Sequence, residues 1–274
     1  MIKVENLAYR YGSSDPPVLN SISLAIREGE FVAIIGPNGC GKSTLIRHFN
    51  ALLQPDQGTV RVDGLNAKDP SDIAEIRLRV GMVFQNPDNQ IVGMTVEEDV
   101  SFGPGNLNLA PSQIQKRVKE ALAVVGLQNY ARSPSHALSD GQKQLLAIAG
   151  VLAMEPKYIV LDEPTSSLDL TARRSVLQVL NKLHRQGVAI IHVTHHVDEI
   201  VGADRVIVLD QGKVALDGRP EQVFCRVDWL KARGIAVPQA TELMWRMRQL
   251  GADVRTDIIT VDDACAELLA LINR

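Results

Sequence analysis

The chain has 274 residues, 45% hydrophobic, 22% charged and 4% aromatic, with a formal net charge of −3 at pH 7, which suits one large domain or a domain with an appendage. The slightly acidic balance gives no electrostatic ground for nucleic-acid binding, and Cys40, Cys225 and Cys265 are too few and too widely spaced for a disulfide framework or a metal cluster, so a reducing, cytosolic setting is expected. The N-terminus lacks the basic-then-apolar pattern of a secretory signal, and no run approaches the roughly 18 apolar residues of a membrane span.

In chain order, residues 2–11 partly alternate between apolar and polar and read as an edge-like strand, 12–17 as a turn and 18–26 as a second strand. Glu28-Gly29-Glu30 then turns the chain into 31–35, Phe-Val-Ala-Ile-Ile, an unbroken apolar run of the kind shown by a strand buried on both faces. A helix is expected to begin at Thr44 with Leu45, Ile46 and Phe49 inward. Strands are expected at 59–64 and at 80–84, the latter ending at Gln85. Residues 86–90 read as loop, and helices dominate from 95 to 158. One spans 111–125, with Pro111 in its first turn, Ile114, Val118, Leu122 and Val125 on one face, and Gly126 as its stop. Residues 142–154 are apolar almost all round, which predicts a helix buried within the protein. Strands return at 158–162, 188–194, 205–209 and 213–217, with an amphipathic helix at 171–186 between them that turns Val176, Leu180 and Leu183 inward. After Gly218 two further helices are expected, 241–250 and 261–272, the second opened by Thr260 with Asp263 in a capping-box arrangement. The implied architecture is an α/β core interrupted by a helical insert.

Two stretches carry chemistry. Gly36-Pro37-Asn38-Gly39-Cys40-Gly41-Lys42-Ser43 lies between the apolar strand and the helix, the context the G-x-x-x-x-G-K-[ST] pattern requires. The glycines let successive N–H groups point into one concavity, and the helix start adds positive partial charge. A polyphosphate fits there, with Lys42 reaching its terminal phosphates and Ser43 offering a hydroxyl to Mg²⁺. Thr44 follows directly, and Cys40 reads as a small space-filling member of the loop. The second stretch, Tyr158-Ile159-Val160-Leu161-Asp162-Glu163, ends a core strand in two carboxylates where doubly wound sheets bind ligands. Asp162 is placed to hold Mg²⁺ beside Ser43, and Glu163 to face the γ-phosphate and polarise an attacking water. Leu138-Ser139-Asp140-Gly141-Gln142 precedes the buried helix. It reads either as an ordinary N-cap by Ser139 or as a second anion seat.

Together these residues resemble an ABC-transporter ATPase, a P-loop NTPase with a RecA-like core sheet, antiparallel edge strands and a helical signature subdomain. Residues 36–43 match Walker A, Gln85 the Q-loop, 138–142 the signature, 158–162 Walker B, Ser167-Leu168-Asp169 the D-loop and His195 the switch histidine. Tyr11 occupies the place of the aromatic that stacks on adenine, although it could be only a strand-packing residue. The resemblance implies a nucleotide-binding domain over 1–218, with its helical part at about 86–156, and an appendage at 219–274 that helps hold two ATPases together. It implies MgATP as ligand, contacted by Tyr11 and residues 36–44, with Ser43, Gln85 and Asp162 at the metal and Glu163, Gln85 and His195 catalytic. It implies that two copies, or this chain and a related one, pack head to tail, so that Ser139 and Gly141 of one close over the ATP of the other. The stretch from Val83 to Gln90, with 96–104, is similar to the ATPases of energy-coupling-factor importers, including their cobalt and nickel branch. Such ATPases grip a transmembrane T component that works with a substrate-binding S component, which puts the chain at the cytoplasmic face of the membrane. The alternatives are the ATPase of a conventional ABC importer, a soluble ABC protein acting on nucleic acid, and a small-molecule kinase that shares only the phosphate loop. Two departures stand out. Asp140 replaces the usual first glycine of the signature, where its charge would repel a γ-phosphate unless it faces solvent or a cation, and His196 replaces the usual aspartate after the switch histidine.

Overall fold

A computed structural model describes residues 1–272; Asn273 and Arg274, the end of the expected 219–274 appendage, lie outside the described residues. The chain opens with β1 (Ile2–Tyr9), β2 (Leu19–Ile26) and β3 (Phe31–Ile35), followed by α1 (Lys42–Phe49), β4 (Gln57–Val62), β5 (Leu65–Asn66), α2 (Pro70–Arg79) and β6 (Val80–Val83). Helices α3 (Val96–Gly105), α4 (Pro111–Val125) and α5 (Asp140–Leu152) come next, then β7 (Tyr158–Asp162), α6 (Leu170–Arg185), β8 (Ala189–Val193), β9 (Arg205–Asp210) and β10 (Lys213–Gly218). Four helices close the described chain: α7 (Pro220–Phe224), α8 (Val227–Lys231), α9 (Gln239–Gln249) and α10 (Val261–Ile272).

These strands form two sheets, β2-β1-β4-β5 and β10-β9-β3-β8-β7-β6. In the larger sheet β9, β3, β8, β7 and β6 pair in parallel, and β10 adds an antiparallel edge. The smaller sheet is antiparallel throughout. Every residue of β3, β7 and β8 is buried, as their continuous apolar runs require. Side chains alternate between two packing layers. Phe31, Ala33 and Ile35 join the layer formed with α3 to α6, while Val32 and Ile34 join the layer containing α1 and the smaller sheet. The helices from 95 to 152 bury the faces their periodicity predicts: Val118, Leu122 and Val125 of α4 are buried, with Ile114 packed at the margin. Beyond β10, α8 is pinned to the β9–β10 turn, because the Arg233 guanidinium lies 3.8 Å above the Trp229 ring and its Nε donates to Asp210 at 2.8 Å. A small separate core of Ala240, Met244, Val254, Ile258 and Ala264 joins α9 to α10.

The differences from the sequence reading are local. β1 stops at Tyr9, leaving Tyr11 in the turn. α1 begins at Lys42 rather than Thr44, because Gly41 takes up the cap position. α2 was not foreseen from apolar spacing, since Ile76 alone of its ten residues is buried; its start is marked instead by the Asp69 side chain accepting from Ser71 N–H, with Pro70 in the first turn.

Adjacent residues of β8 test the two-layer core directly, because Ile190 faces one layer and Ile191 the other. Ile190→Ala and Ile191→Ala are each expected to lower stability by about 2–5 kcal/mol, measured from urea unfolding midpoints. A strand packed on one face only would lose stability at just one of the two positions.

Candidate functional site

Parallel pairing puts the C-terminal ends of five strands on one edge of the larger sheet, where ligands bind in sheets of this kind. The loop 36–41 leaves β3, Gln85 follows β6, Asp162 and Glu163 end β7, and His195 follows β8. The loop is shaped by close backbone contact. A Cβ on Gly36 would fall 2.2 Å from the Leu209 carbonyl oxygen and 2.8 Å from Cys40 Sγ, so only glycine passes there. Gly41, in a left-handed conformation at φ 104°, caps α1 without a side chain, leaving the first N–H groups of the helix available to an anion. Lys42 is buried, and its Nζ donates to the carbonyls of Gly36 at 2.9 Å and Pro37 at 3.0 Å. The ammonium therefore lies folded across its own loop. Burial pushes the Cys40 thiol up, which keeps it protonated and agrees with a space-filling role.

Ser43 and Asp162 meet although 119 residues apart: the Ser43 hydroxyl donates to Asp162 Oδ1 at 2.9 Å. Burial raises the Asp162 carboxyl, opposed by this hydrogen bond and by the charge of Arg47. A buried carboxylate paired only with a hydroxyl is an oxygen donor set of the kind a hard cation completes with phosphate and water. It is distinct from an all-protein cage, and among the described residues no group of three or more His, Cys, Asp or Glu side chains could hold a metal.

Glu163 sits at φ 49°, a left-handed conformation that costs a non-glycine residue about 1 kcal/mol or more. It is held there by its N–H, which donates to the Val193 carbonyl of β8 at 3.0 Å. Its carboxylate lies 2.5 Å from His195 Nε2. Gln85 joins the same group indirectly: its Nε2 donates to Ser166 Oγ at 3.2 Å, and that hydroxyl donates to the Glu163 carbonyl at 3.1 Å. Tyr11 stands over the start of α1, its exposed ring edge-on to Tyr9 and its hydroxyl 3.0 Å from Thr44 Oγ1.

The close contacts of Ser139 and Gly141 lie outside this cluster. Ser139 caps α5, its Oγ accepting from Gln142 N–H at 3.3 Å while Gln142 Oε1 accepts from Ser139 N–H at 3.0 Å. A Cβ on Gly141 would fall 2.5 Å from Ala172 Cβ of α6, so this glycine is required for helix packing within the chain itself. Asp140 is exposed at the first position of α5. Asp169 of the stretch 167–169 caps α6, accepting from Ala172 N–H at 2.8 Å.

The sequence reading passes over Glu199. Its carboxylate is buried and accepts from Thr165 Oγ1 at 2.7 Å and from Thr194 Oγ1 at 2.6 Å. Arg173 Nε lies 3.5 Å from the first oxygen and His192 Nε2 3.4 Å from the second. His192 is fully buried, which pushes its pKa down to about 4 and leaves it neutral. An isolated glutamate after a strand carries no periodic signal, and its partners lie up to 34 residues away.

Comparison with known proteins identifies the family. Residues 19–166 match the family model described as ABC transporter. Over 270 residues, covering 98% of this chain and 96% of the relative, it is 52% identical to the cobalt import ATP-binding protein CbiO of Syntrophus aciditrophicus. It is 50% identical to the energy-coupling factor transporter ATP-binding protein EcfA1 of Caldanaerobacter subterraneus subsp. tengcongensis, covering 96% of each chain. Its fold is similar to the ATP-binding cassette MJ0796, solved as a dimer in a post-hydrolysis state bound to ADP and Pi, with a TM-score of 0.71, 33% identity, and coverage of 80% of this chain and 98% of that one.

The contact between Gly141 and Ala172 makes a prediction that needs no nucleotide. Gly141→Ala is expected to lower stability by about 1–3 kcal/mol through overpacking, measured by thermal or urea unfolding of the nucleotide-free protein. Combining it with Ala172→Gly removes the obstructing methyl, so the double variant is expected to be more stable than the sum of the single losses.

Proposed function

The chain belongs to the ABC transporter ATP-binding family, and we propose that it is the ATP-hydrolysing motor subunit of an energy-coupling-factor importer for a vitamin or transition-metal ion. The observation that carries the catalytic part is the convergence at one sheet edge of the phosphate loop, the Ser43–Asp162 pair and the Glu163–His195 pair. Residues 36–44, all but Pro37 through backbone N–H groups, cradle the phosphates, and Lys42 leaves the carbonyls of Gly36 and Pro37 for phosphate oxygens. Tyr11 offers its ring to the adenine. Ser43, Asp162 and Gln85 would hold Mg²⁺, which would supply charge neutralisation to the bound polyphosphate. Glu163 accepts a proton from the attacking water, and His195 fixes the carboxylate and contacts the γ-phosphate.

Separation of Ser139 and Gly141 from the phosphate loop of the same chain supports a two-subunit site, closed by the signature of a second ATPase, either a copy or a related chain. ATP then holds the pair together and its hydrolysis lets them part, a ligand-driven shift between two states. An apolar cleft beside Gln85 supports a membrane partner. It encloses about 410 Å³ between β6, α3 and α5, and Leu52, Val92 and Phe102 of its lining expose apolar surface. No helix among the described residues is long and apolar enough to cross a membrane, so the cleft is read as the seat for a cytoplasmic helix of a T component working with an S component. The exposed Val261 and Leu269 of α10 support a role for the C-terminal helices in joining the ATPase pair.

Glu163→Gln is expected to keep ATP binding and to lose turnover by about 10²–10⁴-fold, whereas Lys42→Ala is expected to weaken nucleotide binding itself by roughly 10–100-fold. Equilibrium nucleotide binding and phosphate release separate the two effects, and wild-type turnover by Glu163→Gln would overturn the assignment of the base. Phe102→Asp, at the rim of the cleft, is expected to leave nucleotide affinity unchanged while abolishing co-purification with integral membrane proteins. Undiminished co-purification would remove the cleft as the docking seat.

A further inference from the structure

Glu163 and His195 sit on separate loops, one after β7 and one after β8, yet their side chains meet at 2.5 Å. The Glu163 backbone is tied to the end of β8 by its N–H on the Val193 carbonyl, yet it keeps a left-handed conformation that persists only where the surroundings over-determine it, and His195 is exposed. Side-chain anchoring of both loops lies beneath them. Thr165 is two residues beyond Glu163, and Thr194 immediately precedes His195. Both threonines are buried, and each donates its hydroxyl proton to a different oxygen of the Glu199 carboxylate, at 2.7 and 2.6 Å. Thr194 Oγ1 in turn accepts from His196 N–H at 3.0 Å, so the backbone that carries His195 is tied on both sides.

We propose that Glu199 is a positioning residue for ATP hydrolysis, its buried carboxylate acting as one side-chain anchor shared by the loop of Glu163 and the loop of His195. The chemistry requires a group with two separate acceptor oxygens, and a carboxylate supplies both. A buried carboxylate needs compensation, which Arg173 of α6 provides from 3.5 Å, while neutral His192 completes the wall. Arg173 also reaches His196, its Nη2 lying 3.1 Å from Nε2, and it follows Ala172, the residue on which Gly141 rests. Glu199 thus sits where the two loops of the chain's own site meet the first turn of the helix that backs its signature. Small displacements of a catalytic group cost turnover far more than they cost binding, so the anchor acts on the rate and not on affinity for nucleotide.

This inference rests on the reading that Glu163 polarises the attacking water, and the experiment separates the two. In the full-length protein, MgATP turnover and equilibrium ATP affinity are measured for Glu199→Ala, Glu199→Gln, Thr165→Val and Thr194→Val. Each threonine variant, nearly isosteric and lacking one tie, is expected to lose turnover about 3–10-fold, and Glu199→Ala roughly 100-fold, with ATP affinity held within about twofold. Glu199→Gln keeps one acceptor and offers a donor to the second threonine, so it is expected to recover about tenfold over Glu199→Ala. Added to Glu163→Gln, Glu199→Ala is expected to change the residual turnover by less than about twofold, because the group it positions is already disabled. Wild-type turnover in both threonine variants overturns the inference, even if Glu199→Ala fails to fold. Equal losses of affinity and turnover also overturn it, as does a multiplicative loss on the Glu163→Gln background, because either marks a general structural role. If Glu163→Gln itself hydrolyses ATP at the wild-type rate, the reading of Glu163 fails first. If it is inactive while the Glu199 and threonine variants are normal, only the anchor fails.

Discussion

Parallel pairing of β3 with β8, and of β8 with β7, buries all three strands on both faces, and that constraint governs where polar chemistry can stand. A strand with no solvated face has room for ionisable groups chiefly where it leaves the sheet. The phosphate loop, the Asp162–Glu163 pair and His195 all lie at such exits, and parallel direction puts the exits together. His192 shows what happens inside. Paired opposite Ala33 and Leu161 within the sheet, it is kept neutral by burial, with its pKa pushed down to about 4. Asp162 is the boundary case: it closes β7 while still buried, so burial raises its carboxyl while the Ser43 hydroxyl and the charge of Arg47 lower it.

Much of this was legible because it rests on short-range pattern. Unbroken apolar runs announced β3 and β7, and the glycine spacing of 36–41 announced the turn into α1. Pro111 and Gly126 bracketed α4 within its observed bounds. What stayed hidden depends on partners distant in sequence or on weak periodicity. α2 buries only Ile76, so no apolar stripe reveals it, although Asp69 and Pro70 form a usable start signal. α3 carries a full capping box from Thr95 to Glu98, but Gly103, Pro104 and Gly105 obscure its end. Glu199 is the clearest case: a single acidic residue after a strand says nothing of two threonines, an arginine and a histidine gathering around it.

The start of α5 shows the first of the two readings of Ser139, the N-cap. A serine hydroxyl has one proton to donate and lone pairs to accept with. Capping uses acceptance only: Ser139 Oγ receives the Gln142 N–H, and Gln142 returns the favour at the Ser139 N–H. The hydroxyl's own proton takes no part in these two capping bonds. Asp140 fits the same frame. At the first position of a helix its carboxylate is favoured by the macrodipole by about 0.3–1 kcal/mol, which makes it locally stabilising in place of a glycine that would weaken the helix. Its exposure keeps the charge in water, and Lys143, which pairs with Asp88 at 2.8 Å, adds a cation on the following turn. Asp140 therefore strengthens the start of the helix that Ser139 caps.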